Sequence, residues 1–321
     1  MDDGAVQLSL LIKSKHVSHC LELAILLEAS AHKPGNVSVV TNFEKTRYEH
    51  FLASAVAASS SFESATERGI AVSKMKIEPS DVGVGRFIRS CVTDINAWQH
   101  GGNTLLGTVI LLSPMAVAAG MTTRREHFDP SSLRKNLKLV VELTTPEDAV
   151  DVYEAIRIAK PSGLGKASDL DVNDPTAIER IRDEKISLLE VFKIAEKYDT
   201  ICSEWVKNYP VTFDLAYPSL IDGLRNSRDP GLAIVQTFLQ VLAEVPDTFI
   251  ARKTSLEKAR QISLKAKEIT ELGGPETSLG RKSLDEFDKE LKKSSNLLNP
   301  GTTADIIGAA LALCVLGGYR P

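Results

Sequence analysis

The chain has 321 residues, 43% hydrophobic and 25% charged, a composition typical of globular proteins rather than of disordered or fibrous ones. Its formal net charge of −4 offers no basic field for nucleic acid or an anionic membrane. A polyanionic ligand would therefore have to be held locally, by a few Lys and Arg side chains, by helix starts or by a metal ion.

Cys20, Cys91, Cys202 and Cys314 are dispersed, with no CxxC pair and no histidine at ligand spacing. That pattern argues against structural zinc and a disulfide framework, and each cysteine reads as a small buried hydrophobe. The amino terminus opens acidic and lacks the basic-then-apolar order of a signal peptide, so a cytoplasmic location is expected.

In chain order, residues Val6 to Ala31 place Leu8, Leu11, Ile12, Val17, Leu21 and Ile25 on one helical stripe. Pro34 and Gly35 end it. Tyr48 to Gly69 is a second helix, rich in Ala and Ser, whose small side chains allow close helix approach. A third starts at Pro79 and runs to about Gln99. Thr104 to Ala119 and Ala304 to Leu316 are apolar on every side. A membrane span wants about 20 apolar residues; these are shorter, and the first contains Pro114, so both read as central buried helices.

Amphipathic helices to wrap them follow at Pro146–Ala159, Glu179–Tyr198, Leu232–Val245 and Leu256–Leu272, with a charged helix at Leu284–Lys293. Leu137–Val141 is the best strand candidate, but β-branched alternation is missing elsewhere and it reads as helix. The expected fold is all-α, with residues 1–321 forming a single multi-helix domain around two buried central helices.

Irregular segments are where ligand chemistry tends to sit. Asn299-Pro300-Gly301-Thr302-Thr303-Ala304-Asp305 leads into the second apolar helix, with Gly giving backbone access and hydroxyls at the positive end of a helix dipole. Gly101-Gly102-Asn103-Thr104 opens the first apolar helix in the same style. Read alone, each is a helix cap; together they suggest a phosphate cradle. Lys33, followed by Pro34, Gly35 and Asn36, could project over the same site. Asp247 precedes Arg252 and Lys253, and Asp169, Asp171 and Asp174 sit in a Gly/Pro loop. Asp199 begins a helix. Carboxylates of this kind are what a magnesium–triphosphate site requires. The six histidines (His16, His19, His32, His50, His100, His127) are scattered and pair with no nucleophile, which disfavours triad hydrolysis.

These motifs resemble the triphosphoribosyl-dephospho-CoA synthase family. The residues that carry the resemblance are Glu28 through Val37, Gly102-Asn103-Thr104 with Leu106-Gly107, and Asn299 through Asp305. Gly163-Leu164-Gly165 with Asp171, Asp199, and Asp247 with Ile250-Ala251-Arg252-Lys253 lie between them in the family's order, over about residues 20 to 316. The resemblance implies an all-helical transferase in which the 2′-hydroxyl of 3′-dephospho-CoA displaces adenine from C1″ of ATP.

It further implies a triphosphate clamp of Mg²⁺, Lys33, Gly35, Asn36, Asn103, Thr104, Arg252, Lys253, Asn299, Gly301, Thr302 and Thr303. Asp305 and Asp247 would be metal ligands, and Asp171, Asp199 or Asp247 would accept the hydroxyl proton. Classical members carry His-Lys after Asn-Thr where this chain has Leu105-Leu106, so it resembles more closely a divergent branch common in archaea and methylotrophs. The alternatives are a related nucleotide transferase or phosphohydrolase with another acceptor, or a catalytically silent nucleotide-binding protein. The apolar load suits a helical homodimer.

Overall fold

The computed structural model describes residues 3–122, 128–165, 167–226, 229–293 and 296–321, with side chains from Lys13 onward. Leu8, Leu11 and Ile12 of the predicted stripe, and His127, therefore lie outside the described side chains. Among the described residues there are helices and loops, no strand, and one isolated bridge between Ser38 and Thr41.

The first six helices are α1 (Asp3–Ser30), α2 (Tyr48–Ser73), α3 (Val84–Trp98), α4 (Leu106–Met121), α5 (Pro130–Glu142) and α6 (Pro146–Ala159). Shorter ones follow: α7 (Ala177–Asp183), α8 (Leu188–Ala195) and α9 (Thr200–Val206), then a π-helical turn, Val211–Ala216, running into α10 (Tyr217–Asn226). The last five are α11 (Pro230–Glu244), α12 (Thr248–Lys253), α13 (Leu256–Glu271), α14 (Ser278–Lys292) and α15 (Gly301–Leu316).

Four predicted helices differ. The charged one expected at Leu284–Lys293 begins earlier, at Ser278, where the Thr277 side chain caps it through the Gly280 N–H. The one expected from Pro79 to Gln99 is a 3-10 turn, Pro79–Asp81, followed by α3, because Gly83 takes a φ of 66° between them. The one expected from Glu179 to Tyr198 is divided into α7 and α8. Lys185 turns left-handed (φ 54°), and Ser187 then opens a capping box with Glu190, a restart signal that apolar periodicity alone overruns. The first apolar helix starts at Leu106 rather than Thr104, after a turn in which Asn103 Oδ1 accepts the Leu106 N–H at 3.1 Å. The strand candidate Leu137–Val141 is helical, inside α5.

The two apolar helices form the centre. α4 is buried without a break from Thr108 to Gly120, and α15 from Ile306 to Val315. The close approach of α2 to α4 depends on glycine. A Cβ on Gly69 would lie 1.9 Å from the Val117 carbonyl oxygen, and one on Gly120 would lie 2.1 Å from that of Thr66.

Pro114 has no N–H to give the Ile110 carbonyl, and its ring disturbs the turn before it. α9 and the turn after it repair this. Trp205 Nε1 donates to the Ile110 carbonyl and the Tyr209 hydroxyl to that of Leu111, each at 3.2 Å. Tyr209 is brought there by a left-handed turn at Asn208 and Tyr209. The buried Glu204 carboxylate accepts the Val211 and Thr212 N–H groups beyond that turn, at 2.9 and 2.8 Å. All four cysteines are buried and free, as expected of small hydrophobes. No helix among the described residues is long and apolar enough to cross a membrane.

Candidate active site

A cavity of about 570 Å³ opens where α4 and α15 begin, walled by α1, α6, α8, α9, α12 and the loops around residues 36–46 and 160–172. Asn36, Asn103, Thr104, Asp171, Asp199, Arg252, Asn299, Gly301, Thr302 and Asp305 line it. Segments more than 250 residues apart in sequence thus meet at one wall.

At the centre of the polar wall stands Asp305, on the first turn of α15. Thr108 Oγ1 of α4 donates to its Oδ1 at 2.6 Å. Gly107 makes room for it: a Cβ there would lie 2.1 Å from Asp305 Oδ2. Glu28, near the end of α1, is the second carboxylate on this wall, its Cγ beside Gly308 of α15. Burial, with the charges of Glu28 and Asp247 adding to it, pushes the Asp305 carboxyl up to about 7. Sequence reading gives Glu28 no role; the available signal is an acid in an apolar run, five residues ahead of a lysine.

That lysine corrects an expectation. Lys33 does not project over the cavity; it is 1% exposed and lies behind the wall. Its Nζ pairs with Glu28 Oε1 at 3.0 Å and donates to the carbonyls of Glu28 and Ala31. Three acceptors satisfy the ammonium, so its work is to hold the Glu28 carboxylate in place. Gly35 is also behind the wall, with its N–H on Asp288 Oδ1 at 2.9 Å.

Asp247 is corrected as well. Its Oδ1 accepts the N–H groups of Phe249 and Ile250 at 2.9 and 3.0 Å. Its Oδ2 accepts the Thr303 N–H and hydroxyl, both at 2.8 Å. Four donors fill the acceptor sites of a carboxylate, and the residue is 2% exposed, so neither a metal nor a substrate proton reaches it in this arrangement. What Asp247 does is join the starts of α12 and α15, and Thr303 is absorbed in that joint.

Asp199 caps α9 through the N–H groups of Ile201 and Cys202, and its other oxygen pairs with Arg252 Nη1. Arg252 reaches the cavity from α12 with its buried Nε lacking any protein partner. Asn299 Oδ1, also buried and lining the cavity, lacks one too. Lys253 is turned away, over the Phe249 ring at 3.7 Å and onto the Asn296 carbonyl, and burial pushes its ammonium down to about 8. The hydroxyls of Thr200, Thr248 and Thr302 form a chain at 3.3 Å spacings that ties together the starts of α9, α12 and α15. On the other wall, Thr104 meets Ser54 of α2 at 2.7 Å.

Such an all-helical protein, with amides, hydroxyls, an arginine and paired carboxylates gathered at converging helix starts, is built to handle a phosphorylated substrate. The chain belongs to the ATP:dephospho-CoA triphosphoribosyl transferase family, whose sequence profile matches residues 14–321. It is accordingly a transferase, and the family's reaction is ATP-dependent transfer of a triphosphoribosyl group to dephospho-CoA. The fold is similar to a crystal structure from Archaeoglobus fulgidus provisionally assigned as a triphosphoribosyl-dephospho-CoA synthase. That match has 24% identity and a TM-score of 0.60, and covers 84% of this chain and 100% of the other. No curated protein sequence matches the chain significantly.

Proposed function

We propose that this cavity is where the triphosphate of ATP and the ribose of dephospho-CoA meet, with the whole chain acting as one unit around it. The observation that carries the reading is the Glu28–Asp305 pair, two carboxylates on the cavity wall close enough for the charge of one to act on the other. Arg252 Nε, Asn299, Asn103, Thr104, Thr302 and the α15 start supply donors for phosphate oxygens.

The donor set fits a divalent cation carried by the substrate. Among the described residues no cluster of three His, Cys, Asp or Glu could hold a metal alone. Yet among the described residues the cavity wall sets three cations (Lys45, Lys160, Arg252) against five carboxylates (Glu28, Asp169, Asp171, Asp199, Asp305). A triphosphate meeting that wall needs a counter-charge, and Mg²⁺ characteristically binds one or two carboxylates together with substrate phosphates. Glu28 and Asp305 would hold it, and it would neutralise phosphate charge and fix the triphosphate's orientation.

The chain's own residues do the rest. Asp171, on the loop between α6 and α7, accepts the proton of the acceptor 2′-hydroxyl as its oxygen bonds to C1″ and the bond to adenine breaks. Asp199 keeps Arg252 in place through their ion pair.

The test incubates the protein with ATP, Mg²⁺ and dephospho-CoA and measures free adenine. Adenine release that requires both Mg²⁺ and dephospho-CoA, and that Asp305→Ala abolishes, is the expected result. Phosphate or pyrophosphate release without adenine would overturn the reading in favour of a phosphohydrolase, and an active Asp305→Ala would remove the carboxylate pair from it.

A further inference from the structure

The loop between α6 and α7 carries Asp171. Leu170, immediately before it, has a φ of 46°, in the left-handed region that disfavours a residue with a branched side chain. Two side chains one turn apart on α6 hold this conformation. The Tyr153 hydroxyl donates to the Leu170 carbonyl. Arg157 donates from Nε and Nη2 to the Val172 carbonyl, at 3.0 and 2.9 Å, and from Nη2 to that of Asp174 at 3.3 Å.

The carbonyls on both sides of Asp171 are therefore tied to a single helix face, at i and i+4. Within the loop, Asp171 Oδ2 accepts the Ala167 N–H and Oδ1 the Asn173 N–H, each at 2.8 Å. Tyr153 is 3% exposed. Its phenol is pushed up by burial and then by the nearby Asp171 charge, so it stays a neutral donor at physiological pH.

We propose that Tyr153 and Arg157 are positioning residues, a two-point latch that fixes where the Asp171 carboxylate stands in the cavity and thereby the rate of the transfer step. The proposal rests on the reading of Asp171 as proton acceptor. A base displaced by about 1 Å loses on the order of 10²-fold in rate. Neither latch residue is among the phosphate donors named above, so substrate affinity should be largely spared.

The test is steady-state adenine release by Tyr153→Phe, Arg157→Met, Asp171→Asn and the Tyr153→Phe/Asp171→Asn double variant. Phenylalanine keeps the ring in its packing, and Arg157 is exposed, so neither single change threatens the core; circular dichroism and thermal melting check this. Each latch variant should lower kcat by about 10–100-fold with KM for ATP within about two-fold. The double variant should be no slower than Asp171→Asn alone, because a latch has nothing to hold once the carboxylate is gone. Losses that multiply in the double variant, or latch variants within about two-fold of the parent, would overturn the latch alone. If Asp171→Asn is itself as active as the parent, the proton-acceptor reading falls and takes the latch with it.

Discussion

Replacing Asp247 by alanine separates two roles for a carboxylate that lies close to the cavity. The structure makes it a joint between helices, with Oδ1 on α12 and Oδ2 on Thr303 of α15. Alanine removes an N-cap worth about 1 kcal/mol. It also orphans the buried N–H and hydroxyl of Thr303, at about 1–3 kcal/mol each. Against that stands relief of the desolvation that already pushes the Asp247 carboxyl up. The net is a loss of about 4 kcal/mol, within the usual range for breaking a buried, hydrogen-bonded charge.

An unfolding entropy of roughly 2.1 cal/mol/K per residue, taken over the chain, converts that to a Tm drop of about 6 °C. Asp247→Asn keeps an acceptor for α12 but sets an amide N–H against the Thr303 N–H, and should lose about half as much. Differential scanning calorimetry on both variants, beside the adenine assay, decides the matter. An Asp247→Ala protein that melts within about 2 °C of the parent yet is inactive would refute the joint and return Asp247 to ligand or proton chemistry.

Two further outcomes concern the scaffold. Trp205→Phe leaves the Ile110 carbonyl without its donor and should cost about 1–3 kcal/mol in urea unfolding. Pro114→Ala restores the helical N–H to that carbonyl, so it should recover part of the loss in the double variant; strictly additive losses would show that the indole is not repairing the proline gap. Lys253 titrates at about 8 in the fold and at about 10.4 in an unfolded chain. The unfolded state therefore binds more protons between those values, and this lysine makes stability rise with pH through that window. Comparing urea midpoints at pH 7.5 and 9.5, Lys253→Met should show a less positive slope than the parent, and equal slopes would contradict the assigned burial.

Sequence periodicity and breakers expose the helices because a helix face is a local property. The runs from Thr104 and Ala304 have no polar side and so had to be central, which α4 and α15 are. The breaks at Gly83 and Lys185 were harder to see, since a change of backbone sign leaves the apolar spacing on either side intact. The motif loops around Asn103, Asp171 and Asn299 do meet at one cavity. What the sequence could not show is which way each side chain in a motif faces. Lys33 and Asn36 are three residues apart, yet the turn at Pro34 and Gly35 puts the amide on the cavity wall and the ammonium behind it. Asp247 and Asp305 are both acids at helix starts, and only the tertiary donors on Asp247 distinguish a filled carboxylate from an available one.

Lys33 and Asp247 give the cavity a common logic. Each is a charged residue withdrawn from the wall and spent on fixing a neighbour that remains there: Lys33 fixes Glu28, and Asp247 fixes the α15 start that presents Asn299, Thr302 and Asp305. Asp199 does the same for Arg252 while still lining the cavity. Rigid supports of this kind reduce the reorganisation needed when charge moves during reaction.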